Sequence, residues 1–195
     1  MTALPAEARA VLDFWFDAGS GPDFGAPRAV WFDIDAAFDR AVGARCGALH
    51  DPAAAGRLDG WAATPLGCLA LLILLDQVPR NLFRGTPRAY ATDGQARAHA
   101  RAAIAAGFDR ALGPVQRWFV YLPLEHSETL ADQVRCVALF EALGDHAESA
   151  DTLDWVRRHH DIIARFGRFP HRNAVLGRPS TPEELAFLQE PNASF

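Results

Sequence analysis

The stretch TPLGCLALLILLDQVP, residues 64–79, decides the fold. It opens on Thr64-Pro65, a side-chain cap followed by the first helical position, where proline is tolerated. Leu66 to Leu75 is then apolar without gap or alternation. Such a run is too short to span a bilayer and suits a helix buried on every side. A helix without a polar face needs other elements all around it. The proline rule places its end at Pro79, whose ring would meet the carbonyl of Leu75.

Helical signals surround this run. Helices are expected from about Ala6 to Asp17 and from Asp33 to Leu49, the second with a tail to Gly56. Thr92-Asp93-Gly94-Gln95 reads as a capping box opening a helix that ends at Gly107. Further helices are expected over Pro114 to Tyr121, Ser127 to Leu143 and His146 to Arg165. Thr181-Pro182-Glu183-Glu184 is a second capping box, opening a final helix to Gln189. The segment from Ser20 to Arg28, rich in Gly and Pro, and Gly19-Ser20-Gly21 beside it read as loop. No alternating β-branched runs are joined by an Asn-Gly or Asp-Gly turn. With no legible repeat and no long linker, residues 1–195 read as one all-α domain, an array of about eight helices.

The chain has 195 residues, 50% hydrophobic and 22% charged, with a net charge of −5. That balance suits a globular protein and argues against nucleic acid or an anionic membrane as partner. All 19 basic residues are Arg. Schiff-base lysine chemistry and a Walker-type phosphate loop are therefore excluded. Cys46, Cys68 and Cys136 form no CxxC and read as buried reduced thiols, which suits the cytoplasm. Met1 to Asp17 lacks the basic start and apolar run of a secretory leader. The aromatic residues Phe14, Trp15, Phe16, Trp31, Phe32, Trp118 and Phe119 fall at helix-packing spacings and read as core.

Polar residues on apolar faces carry the functional signal. In the 146–165 helix, His159 lies within the stripe Leu153, Trp155, Val156, Ile162, Ile163 and Phe166, with His160 at its edge. In the 127–143 helix, Gln133 falls within the arc Leu130, Val134, Val137, Phe140 and Leu143. One turn earlier His126 shares that face, flanked by Glu125 and Glu128. Asp76 sits at the expected carbonyl end of the apolar helix, where the dipole disfavours an anion, so it needs a partner such as Arg80. Residues 166–178 concentrate Arg168, His171, Arg172, Asn173 and Arg178, and Arg forks suit carboxylate or phosphate.

The runs LLDQVPRNLFRGTPRAYATD, FVYLPLEHSE and RFGRFPHRNAVLGRPSTPEE, with VLDFWFD and WFDIDAAFD, resemble a bacterial family catalogued as domain of unknown function 924. The resemblance spans about residues 11–188. It implies an all-α fold similar to tetratricopeptide-type arrays and implies no particular activity. The repeat signature W-x2-L-G-x2-Y is absent. The family's recurrent polar positions match Asp76, Gln77, Arg80, Asn81, Arg84, Glu125, His126, Glu128, Gln133, His159, Arg168, His171, Arg172, Asn173 and Arg178.

Three readings follow. In the first, a small anionic molecule or a peptide carboxylate sits between helices, held by Arg80, Arg84, Arg168, His171, Arg172, Asn173 and Arg178. Asp76, Gln77, Asn81 and Gln133 would then form a supporting network. In the second, the whole Arg, Glu and His set is structural and the protein is an interaction scaffold. In the third, His126 or His159 with Glu125 or Glu128 performs hydrolase-type acid–base chemistry. The chain has neither H-E-x-x-H nor a Glu-x-x-His pair, so no metal and no cofactor is expected. Ser127 reads as a helix-start hydroxyl.

Overall fold

The structure, a computed structural model, describes residues 3–17, 26–144, 150–191 and 193. The described residues form a single helical domain without strands. Helix α1 is Ala6–Trp15 and α2 is Ala36–Ala54. The central α3 is one rod in three parts: Pro65–Leu72, a π-helical turn Ile73–Gln77, and Val78–Leu82. Then follow α4 (Asp93–Ala105), α5 (Pro114–Glu125), α6 (Leu130–Glu141), α7 (Ala150–Phe166) and α8 (Pro182–Phe187). Among the described residues no helix is long and apolar enough to cross a membrane.

Rod α3 is buried on all sides from Gly67 to Pro79, and α1, α2, α4 and α5 pack around it. Thr64 caps it by accepting the Gly67 N–H at 3.2 Å. A Cβ at residue 67 would stand 2.2 Å from the Trp61 carbonyl oxygen, so only glycine fits there. Beyond α5, helices α6 and α7 stack in order. Helix α8 closes that end with Phe187 against Phe166, ring centroids 5.1 Å apart. Its Thr181–Glu184 capping box forms as the spacing predicts. Cys46, Cys68 and Cys136 are free and buried.

Pro79 does not end α3. The Val78 N–H reaches five residues back to the Ile73 carbonyl, making the turn a π-turn. Proline supplies no N–H to Leu75, four residues back, or to Leu74, five back. Side chains from two neighbouring helices fill the gap. Thr92 donates its hydroxyl to the Leu75 carbonyl at 2.5 Å, and His50 of α2 donates Nδ1–H to the Leu74 carbonyl at 3.0 Å. Arg80 bonds the Asp76 carbonyl at 2.5 Å. The rod continues because tertiary donors replace the backbone ones.

The same bond corrects a second expectation. Thr92 makes no capping bond at α4, because its hydroxyl is committed to Leu75, and Gln95 reaches the Ala54 carbonyl instead. Helix α5 runs on past Tyr121 and through Pro123 to Glu125, with Leu122, Leu124 and Glu125 all buried. Helix α6 begins at Leu130 rather than Ser127, and Leu130 and Val134 face outward at 46% and 54% exposure. Its inner face is Gln133, Cys136 and Phe140. In α7, Trp155 points out while Val156, His159, Ile162 and Ile163 point in. Phe32 is likewise exposed, whereas Trp15, Phe16, Trp31, Trp118 and Phe119 are core. The expected helix start at His146, the Gly19-Ser20-Gly21 loop and most of the 20–28 segment lie outside the described residues.

Thr92→Val keeps the shape at this position and strands the buried Leu75 carbonyl. It lowers stability by about 1–3 kcal/mol in urea unfolding. Thr86 donates an exposed hydroxyl to Phe83. Thr86→Val is the control and changes stability by less than about 0.5 kcal/mol. Equal losses in both would mean that water reaches Leu75.

Candidate functional site

The π-turn places Asp76 inward, 1% exposed, at the floor of the site. Its Oδ1 accepts from His126 Nδ1 at 2.8 Å and lies 3.3 Å from Arg80, and its Oδ2 accepts from Gln77 at 2.6 Å. Burial alone would raise the Asp76 pKa. Arg80, His126 and Gln77 outweigh burial and hold it well below the usual carboxylate range. Arg80 also forks onto Asp93 at the start of α4, at 2.9 and 3.1 Å. Asp93 in turn accepts from Arg172 at 3.3 Å.

The end of α5 is held by side chains. A helix leaves its last carbonyls without backbone donors. Here Gln133 Nε2 donates to the Glu125 and Ser127 carbonyls at 2.6 and 2.7 Å, with Leu124 at 3.4 Å. Arg172 takes the His126 carbonyl at 3.1 Å. Ser127 donates to Asp132 at 2.7 Å and accepts from Arg97 of α4 at 3.0 Å, and Arg101 grips Asp132 at 2.6 Å.

These segments enclose a cleft of about 270 Å³ between the start of α4, the end of α5 and the turn after α7. His126, Glu128, Arg172, Asp93, Arg97 and Tyr90 line it, with Pro87 and Leu176 as apolar wall. Arg172 is 5% exposed. Its guanidinium lies 4.6 Å from the Tyr90 centroid and 4.5 Å from that of Phe169. Burial first, and then Arg80, push its pKa down. His126 is also pushed down, by burial and by Arg80, against the pull of Asp76.

The other candidate residues lie apart from the cleft. Arg84 and Asn81 bond Asp39 of α2 at 2.9 and 2.7 Å on the far side of α3. Arg168 forks onto Glu184 at 2.6 and 2.7 Å. Asn173 bonds Ser180 at 3.0 Å and accepts from Arg178 at 3.0 Å. Arg178 clamps Glu128 at 2.6 and 2.9 Å, and the Phe169 N–H adds a third bond to Glu128. Burial opposes these bonds, yet they hold the Glu128 pKa down. The carboxylate beside His126 is Asp76, not Glu125 or Glu128. Glu125 is buried against His159, Oε1 to Nδ1 at 2.9 Å, and its Oε2 has no bond among the described residues.

The sequence reading missed Asp93, Arg97 and Tyr90. In the sequence Asp93 reads as part of a helix cap. Asp93 and Arg97 stand four residues apart, hence on one face of α4, which was the available signal.

Fold and site together define an all-α protein with a cleft of paired guanidinium, carboxylate and imidazole groups. The chain belongs to the family described as bacterial protein of unknown function (DUF924), whose family model matches residues 11–192. It is similar to the solved structure of the protein of unknown function ATU0120 from Agrobacterium tumefaciens. The identity is 46% and the TM-score 0.84, over 95% of this chain and 98% of that one. No curated protein matches.

Burial, with Arg172 beside it, pushes His171 down to about 3 from an ordinary 6.5. Unfolded His171 takes up a proton below about 6.5, whereas folded His171 stays neutral far lower. Stability is therefore full above pH 6.5 and falls as the pH drops through this window. His126 acts in the same direction, and the lowered Asp76, Glu128 and Glu184 stay ionised there. Urea unfolding at pH 7 and pH 5 should show this loss, and His171→Gln should shrink it. An unchanged slope in the variant would mean that folded His171 titrates normally.

Proposed function

We propose that the cleft binds a small anionic molecule, with Arg172 as its main cation and Arg97 beside it. The observation that carries this reading is the unused bonding capacity of Arg172. Its partner carboxylate, Asp93, is already forked onto Arg80. Its Nε is buried without a hydrogen-bond partner. Arg80 also faces Asp76, so what Arg172 offers an entering anion is unused bonding capacity on a buried guanidinium. The aromatic faces of Tyr90 and Phe169 keep the guanidinium flat and hold it in place, so little side-chain entropy is lost on binding.

Arg168, Asn173 and Arg178 support this reading by bracing the turn that carries Arg172, rather than by touching the ligand. Glu128 and Asp93 also line the cleft but are occupied by Arg178 and Arg80. The purely structural alternative accounts for the braced pairs and leaves the Arg172 Nε unused.

The test is a thermal-shift series with inorganic phosphate, sulfate and succinate, and with a chelator control. An anion at a hundred times its dissociation constant adds about 2.7 kcal/mol, or roughly 5–10 °C for a chain of this size. The shift should shrink in Arg97→Ala and vanish in Arg172→Gln, with both variants checked for folding by circular dichroism. A flat response across the panel would remove this reading and leave the network as structure, with a protein partner as the next search.

A further inference from the structure

Resting on the anion-binding reading of the same cleft, we infer that Asp76 and His126 form a carboxylate–histidine base that directs water onto a bound phosphodiester. An ionised carboxylate only accepts hydrogen bonds, so the 2.8 Å contact places the proton of His126 on Nδ1. Nε2 then carries a lone pair. It has no hydrogen-bond partner among the described residues, and the ring lines the cleft. His126 is pushed below its ordinary pKa and is therefore the neutral, basic form at pH 7. The charged groups around it are Asp76 and Arg80 of α3, Asp93 and Arg97 of α4, Glu125 and Glu128 on either side, and Arg172. His159 of α7 stands with its ring centroid 6.3 Å away. The π-turn that sets Asp76 in place is itself a local distortion of the kind concentrated at functional sites.

The substrate class follows from where the cation sits. Arg172 donates to the backbone carbonyl of His126 and lines the same cleft as the imidazole, so an anion held by Arg172 shares that cleft with Nε2 and is taken as the reacting centre. Guanidinium groups on non-bridging oxygens stabilise the charge that develops in phosphoryl transfer. Asp93 and Glu128 line the same cleft, so a diester with a single negative charge suits it better than a dianionic monoester. In the step, Nε2 takes a proton from water as the water oxygen bonds to phosphorus. The bond from phosphorus to the leaving alcohol oxygen breaks on the opposite side, that oxygen takes a proton from solvent, and the imidazolium gives its own proton back to solvent. One water is consumed, and a phosphomonoester and an alcohol are released. Asp76 acts through His126 and is a positioning residue.

The experiment uses the full chain with bis(p-nitrophenyl) phosphate, and with p-nitrophenyl phosphate in parallel. The diester should be hydrolysed faster than the monoester, and His126→Gln should lower the diester rate at least about 100-fold. The wild-type rate should fall in acid as His126 takes up its proton, and Asp76→Asn should shift that pH profile. Nitrogen NMR of the wild type supplies a test that needs no variant: His126 should carry its proton on Nδ1. A proton on Nε2 overturns the inference, as does a diester rate equal in wild type and His126→Gln. A diester that raises the melting temperature and is not hydrolysed overturns the catalytic inference alone. An absence of any shift with every anion overturns the binding reading as well.

Discussion

The missing N–H of Pro79 is the constraint on which the rest of the structure depends. It falls in the most buried helix, where a carbonyl without a donor is costly. The chain meets it with His50 from α2 and Thr92 from the entry to α4. Those two bonds attach α2 and α4 to α3 at fixed heights. The π-turn that accompanies them sets Asp76 inside the fold, and a buried carboxylate needs cations or donors of its own. Arg80 and His126 supply them. Arg80 brings Asp93 with it, and Asp93 brings Arg172. One absent backbone donor thus leads, bond by bond, to the cleft.

The guanidinium groups divide into two sets by what remains for them to do. Arg84, Arg168 and Arg178 are each matched to one carboxylate, and act as struts between α2 and α3 or within the turn after α7. Arg80 and Arg172 compete for Asp93, and Arg97 shares Ser127 with Asp132. Of these six, Arg97 and Arg172 line the cleft. Sequence position alone does not make this division, because it depends on which carboxylate each guanidinium meets from a distant part of the chain.

Local physics was legible in the sequence and distant bonding was not. The Thr64-Pro65 start, the closed apolar rod and the Thr181 capping box follow from residues a few positions apart. Rod α3 continues past Pro79 because donors at residues 50 and 92 arrive in space. The need of Asp76 for a partner is legible in its helix position, and Arg80 stands one turn away. His126 is fifty residues off, so its pairing with Asp76 is not legible there. Thr92 has the right residue type for a cap, and the buried Leu75 carbonyl takes its hydroxyl first. The outward turn of Trp155 and Val134 has the same root: periodicity marks a stripe, and packing decides where along the stripe the interior begins.

Gln133 shows what such an interior demands of a single position. Its amide nitrogen faces a row of carbonyl oxygens at the end of α5, in a place with no solvent exposure. Glutamate has the same outline but presents only oxygen, so it would set lone pair against lone pair where no water can intervene. Asparagine keeps the donor and falls one carbon short. Deamidation, a change of one atom, would therefore loosen the turn that carries His126 without altering its shape, so volume is the wrong measure of tolerance here.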